Sequence, residues 1–553
     1  MRDILFRYKW VIAALLVTRL GMVAYVYPDA GRLFNGDSWL YEQYGVSLLE
    51  TGSYLAPGYG KWMGYDSEGN VVGETLFGYD PFADMIRPPG LPVVVAMVYG
   101  VFGMSAGVWV LSILTALLSV ITLWMLTLFL RLFRLDHIDW ILWVFVFDPI
   151  WIMYSKEILT EPFFVPLVLG GLYLGCIGIC RLYVDRDCRL HFPTSRWASS
   201  SPIVLIGSAG LLFGTATLFK PITLYAPLAG SIFLLILLVV HLRSEFSTAR
   251  NGTSSQFINM AGLKSGGLAV LVFYLSASAL IWAWQYRNYQ HHGSFVFTSI
   301  QAENLMTGHA AFVLAHAENL SHTQAQDSIR VMYNQRHPSH GDYDFDRMSE
   351  AKQEIASEIL SGHTRLYAWA IVRGMAITMM DPGRLVVTRT FAAGDQSSKE
   401  NFKDNHDWTT DYKVTGDQSL KEDPVSTSSS EKRGSHEIGL TDIVARDGVL
   451  GALQHLIRTQ PELTLFMIVH LFYLGMIFIL ASIGLVQFIK KYPVPAALIV
   501  SFFLYLWVLG GPSGYARFRM YLFPMMLLFM AFVPVGSYFQ KITTHRDRSK
   551  AQT

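Results

Sequence analysis

Long apolar runs separated by polar turns dominate this chain, and most runs approach or exceed the ~20 residues a helix needs to cross a bilayer. From the N-terminus they fall at 10–27, 108–130, 140–154, 162–180, 202–219, 225–242, 266–284, 462–488, 493–509 and 521–538. The pattern predicts ten spanning helices. One further run, 91–102, is apolar but short and ends at Gly103, which reads as a re-entrant or interfacial helix. Two polar stretches interrupt the series, 28–90 and 287–461. The second contains an amphipathic apolar segment at 366–380 and a low-complexity stretch at 395–435, centred on 426–433, that reads as mobile. The expected organisation is a transmembrane module over 1–286 with a first outer loop at 28–90, a large outer region over 287–461, and terminal helices with a tail over 462–553.

Composition narrows the class. Hydrophobic residues make up 52% of the 553 positions and charged residues 15%, against roughly a quarter charged in soluble domains. The expected fold class is an all-α polytopic membrane protein. A net charge of +1 gives no basic bias toward nucleic acid. The three cysteines, Cys176, Cys180 and Cys188, form neither a zinc-type cluster nor a disulfide framework. Arg2, Arg7 and Lys9 precede the first run, and no small-residue cleavage site follows Tyr25 and Tyr27, so the run reads as a retained helix rather than a signal peptide.

Charge sets the orientation. Basic loops face the cytoplasm, and successive spans must alternate sides. The clusters Arg131/Arg134, Arg181/Arg186/Arg189/Arg196, Arg243/Arg250/Lys264, Lys490/Lys491 and Lys541/Arg546/Arg548/Lys550 then all fall on one side. Both termini are expected in the cytoplasm, and 28–90 and 287–461 outside.

That orientation gathers short charged segments at the outer span ends. They are Gly36-Asp37-Ser38, Ile86-Arg87-Pro88-Pro89-Gly90, Ser155-Lys156-Glu157 with Thr160-Glu161-Pro162, Lys220-Pro221, Arg287-Asn288, and Ala516-Arg517. Carboxylates beside cations suit sugar transfer from a lipid phosphate. A carboxylate accepts the proton of an attacking hydroxyl, and Arg or Lys stabilises the departing phosphate. Asp37 is the first choice for base, with Asp80 and Asp84 as alternatives; a helix N-cap worth about 1 kcal/mol would also account for Asp37. Glu157 and Glu161 are four apart and share a helix face; the reading favours Glu157 as functional and Glu161 as support. Arg87, Lys156, Lys220, Arg287, Asn288 and Arg517 are the candidate phosphate or substrate binders, with snorkelling to headgroups as the alternative for any one cation. Arg19 and Asp148 lie inside runs, as functional charges or a buried packing pair. His309, His316 and His337 show no metal spacing and read as solvated surface.

The order of these segments resembles the GT-C glycosyltransferases, in the bacterial branch related to protein O-mannosyltransferases and the lipid A aminoarabinose transferase. Asp37, Arg87-Pro88-Pro89-Gly90, Glu157 with Thr160-Glu161-Pro162, and Arg287-Asn288 carry it, over roughly residues 10–310. Ser38 follows Asp37 where protein mannosyltransferases show an acidic pair, which turns the reading away from a protein acceptor. The resemblance implies a GT-C-like bundle of about ten to twelve transmembrane helices with outer juxtamembrane helices and a periplasmic region. It also implies a polyprenyl-phosphate sugar donor, a lipid, glycan or protein acceptor, and the inner membrane of a bacterium. No cofactor is required; a divalent cation is left open as an alternative but is not indicated. The rival readings are a glycan ligase or polymerase using a diphosphate-linked glycan, and a transporter or lipid flippase; the sequence shows no internal repeat of the transporter kind. A topology reporter fused at Gln326 is expected to read as periplasmic and one at Asp187 as cytoplasmic, and a reversal at either position overturns the orientation.

Overall fold

The structure is a computed structural model that describes residues 6–27, 29–34, 36–54, 61–65, 71–76, 85–135, 138–183, 200–250, 260–336, 345–391, 451, 454, 457–512 and 514–533. Asp80, Asp84, Cys188, His337, the stretch 395–435 and the basic tail lie outside these residues.

The protein is an all-α polytopic membrane protein, with one small exception among the described residues. Strands Lys61–Tyr65 and Val71–Leu76 form an antiparallel hairpin within the polar stretch 28–90. Among the described residues seven helices are long and apolar enough to span: Lys9–Val26, Met104–Leu132, Glu161–Tyr183, Pro202–Phe219, Pro221–Ser244, Gly262–His292 and Pro461–Lys491. Gly90–Phe102 and Pro493–Val508 are apolar but shorter, and Arg519–Met530 is a short, fully buried helix. Exposed apolar side chains on Pro221–Ser244, such as Leu235, Ile236 and Val240, face a solvent that must be hydrocarbon, since water would penalise such a stripe.

The run 140–154 is not one span. It breaks into helices Asp139–Val146 and Pro149–Tyr154. The cause is local: the Asp148 carboxylate accepts the N–H of Trp151 at 2.9 Å, and Pro149 takes the first helical position, which suits a residue without an N–H. The buried Arg19 meets the break from the first span. It donates to the carbonyls of Val146 and Phe145 at 2.9 and 3.0 Å. Carbonyls at a helix C-terminus lack intrahelical partners and attract a cation, so this intramembrane arginine is held by a helix end.

Close helix contacts use small residues. Pro202–Phe219 packs along Met260–His292, and a Cβ placed on Gly214 would lie 2.5 Å from the carbonyl oxygen of Ala277. Without a hydrophobic force between helices in lipid, such backbone approach is what drives association.

Contacts divide the chain into two compact units, Met1–Asp381 with Gly475–Thr553, and Pro382–Leu474. Within the second unit, helix Arg384–Phe391 buries Val386 and Val387, and His470 Nδ1 donates to the carbonyl of Pro382 at 2.8 Å. Within the first, the helices from Ile300 to Gly362 share their own apolar core, including Met306, Leu314, Ile329 and Ile355. The amphipathic segment 366–380 forms helix Thr364–Met380. One set of span ends carries the basic residues: Arg131 lies over the Tyr8 ring at 5.5 Å, and Arg181 donates to the carbonyl of Ser200 at 3.1 Å. The other ends of these helices lead to Asp37, Glu161 and Lys220.

Gly214→Leu is expected to lower the melting temperature of the purified protein, because overpacking of this kind costs about 1–3 kcal/mol. Gly21→Leu, where nothing lies within 4 Å of the added Cβ, serves as the control; equal shifts for the two variants would sink the packing argument.

Candidate functional site

Asp37 lies in the first turn of helix Gly36–Thr51, but its carboxylate is engaged by arginines brought in from elsewhere. Oδ1 accepts from Arg87 Nη2 at 3.0 Å and Oδ2 from Arg517 Nη2 at 2.6 Å. Arg517 then turns its Nε to Glu161 Oε1 at 3.1 Å, and Lys220 Nζ reaches the same oxygen at 2.6 Å. Five charges therefore alternate in one line, Arg87, Asp37, Arg517, Glu161 and Lys220. Side-chain exposure is highest at Asp37, 31%, and lowest at Glu161, 1%.

Local sequence explains each position. Glu161 opens helix Glu161–Tyr183, where the helix N-terminus favours a carboxylate. Lys220 follows helix Pro202–Phe219 in extended backbone, and Pro221 prevents that helix from continuing. Gly90 lets the Pro-Pro segment approach: a Cβ there would lie 2.6 Å from the carbonyl oxygen of Leu218, two residues before Lys220. Aromatic rings line the cations, with Tyr41 5.5 Å from Arg87 and Phe518 and Tyr521 at 5.4 and 5.2 Å from Lys220 Nζ.

The electrostatics follow. Burial alone would raise the Asp37 carboxyl, but the Arg517 and Arg87 guanidinium groups beside it hold it well below the usual carboxylate range. Burial opposes the charge on Arg517, and Glu161 and Asp37 overcome it, so its value is raised. Burial pushes the Tyr41 phenol up to about 12, which leaves it neutral.

Asp37, Glu161, Arg87, Lys220 and Arg517 are thus brought together. Glu157 and Lys156 are not part of the line. They pair with each other at 3.5 Å, each 1% exposed, and Lys156 Nζ also donates to the carbonyl of Arg32 at 2.7 Å. The sequence favoured Glu157 over Glu161; the geometry places Glu161 among the cations and seals Glu157 beside them.

Arg287 and Asn288 also stand apart from the line, holding backbone. Arg287 Nη2 donates to the carbonyl of Tyr54 at 3.0 Å, with the guanidinium over the Tyr54 and Trp284 rings at 5.4 and 4.9 Å. Tyr54 in turn donates its hydroxyl to the carbonyl of Arg87 at 3.1 Å. The buried Asn288 donates to the carbonyls of Val296 and Phe297 at 2.8 and 3.1 Å. Next along, Ser299 N–H donates to Met85 at 3.0 Å and the Thr298 hydroxyl to Ile86. The pair therefore frames the loop that presents Arg87. Sequence reasoning missed Tyr54 and Thr298, and no spacing marks either.

His309 corrects the expectation of solvated surface. Its ring hydrogen-bonds the Tyr367 hydroxyl at 3.0 Å, lies against Gly511, and is pushed down to about 4 by burial. His316 is exposed and stacks on Phe312 at 4.2 Å. Among the described residues no three His, Cys, Asp or Glu side chains group as metal ligands.

The depressed Asp37 carboxyl makes a pH prediction. Its folded value lies below the ordinary 3.8, so its contribution to stability is complete above that value and is lost as pH falls through the depressed one. The difference in melting temperature between wild type and Asp37→Asn should be constant from pH 5 to 8 and narrow only below about pH 4. A difference already shrinking between pH 7 and 5 would mean that the two arginines do not hold the carboxylate.

No protein-family profile matches the chain, and no curated protein matches it. Solved structures that match include the oligosaccharyltransferase AglB from Archaeoglobus fulgidus in complex with an inhibitory peptide and a dolichol-phosphate, at 14% identity and a TM-score of 0.38. The apo Archaeoglobus fulgidus oligosaccharyltransferase matches at 12% and 0.43. Each match covers 99% of this chain and 52% of the other, so the chain spans about half the length of these relatives. ArnT from Cupriavidus metallidurans bound to undecaprenyl phosphate matches at 13% identity and a TM-score of 0.31, over 95% of this chain and 78% of that one. Likenesses this distant leave the functional reading to rest on the charged line itself.

Proposed function

We propose that the protein is an inverting glycosyltransferase of the GT-C kind. It would move a sugar from a polyprenyl-phosphate donor to a lipid, glycan or other cell-envelope acceptor at the periplasmic face of a bacterial inner membrane. The observation that carries this reading is the line Arg87–Asp37–Arg517–Glu161–Lys220. Its three cations face two carboxylates and leave one net positive charge. A sugar joined to a polyprenyl phosphate is a phosphodiester with a single negative charge, which neutralises the line; a diphosphate-linked glycan carries two and overshoots it. The count favours the monophosphate donor.

The step would run as follows. The acceptor hydroxyl oxygen attacks the anomeric carbon from the face opposite the phosphate, and the carbon–oxygen bond to phosphate breaks with its electron pair. The acceptor proton passes to Asp37. The leaving polyprenyl phosphate gains a second negative charge, which cations already in place stabilise. Asp37 held by two arginines is a poor base, so the reading requires the donor phosphate to draw Arg517 or Arg87 toward itself and free a carboxylate oxygen. Glu161 keeps Arg517 near the site while its other partner changes.

The test is transfer from a panel of undecaprenyl-phosphate sugars by the purified protein. Asp37→Asn should lower turnover by about 10²- to 10⁴-fold with an intact melting transition, while Arg87→Ala should raise the donor KM. Undiminished turnover in Asp37→Asn removes Asp37 as base. Activity with diphosphate-linked glycans alone removes the charge-count argument.

A further inference from the structure

The segment that presents Arg517 is tied to the outer helix Thr364–Met380 by contacts the reaction itself does not use. That helix ends at Asp381, whose Oδ2 accepts the N–H of Ala516 at 2.9 Å. Ala516 opens the single 3-10 turn, Ala516–Phe518, that carries Arg517, and Tyr515 before it is extended. Asp381 thus caps that turn one residue before the arginine. From the other side, Arg519 Nη1 donates to the carbonyls of Thr378, Met379 and Asp381 at 3.2, 3.0 and 2.9 Å, closing the helix C-terminus. The backbones touch without side chains between them: a Cβ on Gly374 would lie 2.0 Å from the carbonyl oxygen of Gly511, and one on Gly514 2.4 Å from that of Gly374. Trp507 Nε1 donates to the carbonyl of Met375 at 2.8 Å.

We propose that Asp381 is a positioning residue for Arg517. A long arginine side chain engages two carboxylates at once only if its own backbone is fixed, because ordering a rotamer-rich side chain costs entropy that a mobile turn would add to. Asp381 removes that mobility by satisfying the first free amide of the turn, as a cap does at any helix start. The contact is with backbone, so Asp381 acts on Arg517 without touching its guanidinium. Asn at 381 retains an acceptor oxygen and should retain the role; Ala should not.

The experiment is a double-mutant cycle on the full-length purified protein, read twice. The first readout is melting temperature without added lipid, in wild type, Asp381→Ala, Arg517→Ala and the double variant. Asp381→Ala should forfeit part of what Arg517 contributes, so the double variant should melt clearly above the value that adding the two single losses predicts. The second readout is binding of undecaprenyl phosphate, which rests on the phosphate reading above. Asp381→Ala should weaken it by about 3- to 30-fold, the range of a lost cap. Asp381→Asn should bind within about twofold of wild type, and the double variant no more weakly than Arg517→Ala. Additive melting losses, or an Asp381→Asn variant as impaired as Asp381→Ala, overturn the positioning role. Coupled melting losses with lipid binding indifferent to Arg517→Ala uphold it and overturn the phosphate reading instead.

Discussion

Arg517 holds two carboxylates at once, and the arrangement of the span ends around it follows from that constraint. Its Nη2 lies 2.6 Å from Asp37 and its Nε 3.1 Å from Glu161. Asp37 belongs to the polar stretch after the first span, Glu161 to the start of a later span, and Arg517 to a turn 480 residues from Asp37. A charge withdrawn from water is costly unless paired. Three distant segments therefore cannot fold independently without leaving one of their charges stranded. Glu161 is the most demanding member, 1% exposed and served by both Lys220 and Arg517. Of these two cations Arg517 also reaches Asp37, and so joins Glu161 to the Asp37–Arg87 pair.

A pairing this dense stabilises a folded site but poorly suits a resting base. Two guanidinium groups hold Asp37 ionised and lower its affinity for a proton. The same groups have planar donor sets that match carboxylate and phosphate alike. Carboxylate and phosphate therefore compete for one set of donors. In the proposed reaction that competition makes Asp37 basic only when a phosphate is bound, and suppresses proton abstraction from a hydroxyl, or from water, in the empty site.

The membrane class and most spans were legible in the sequence because lipid permits little else: a spanning backbone must satisfy its own hydrogen bonds, so length and hydropathy nearly determine the outcome. The exceptions are informative. The run 140–154 has the hydropathy of a span, yet Asp148-Pro149 breaks it, and Arg19 from another helix meets the exposed carbonyls. Hydropathy averages over a run and does not register where one carboxylate caps a new helix inside it. In the site, Asp37, Arg87, Lys220 and Arg517 were visible as charges at outer span ends. The choice between Glu157 and Glu161 was not. Spacing put both on one helix face, yet Glu157 lies in the turn between helices Pro149–Tyr154 and Glu161–Tyr183. Lys156 pairs with Glu157, and Lys220 reaches across from another span to Glu161.

Arg287 and the neutral Asn288 beside it show how a conspicuous polar pair can hold backbone next to the charged line. Arg287 looks like a phosphate ligand from its place at a span end, yet its donors reach the Tyr54 carbonyl and Asn288. Tyr54 passes the constraint on through its hydroxyl to the carbonyl of Arg87. Asn288 fixes 296–297, and the residues just beyond, Thr298 and Ser299, hold the carbonyls of Ile86 and Met85. Arg87 is thereby gripped on both sides of its own backbone, as Arg517 is gripped through Ala516. Both arginines on Asp37 are thus presented by backbone fixed from outside the cluster, and their side chains remain the adjustable part. In the proposed reaction a clamp built this way would exchange carboxylate for phosphate by rotating guanidinium groups, without moving the helices that carry them.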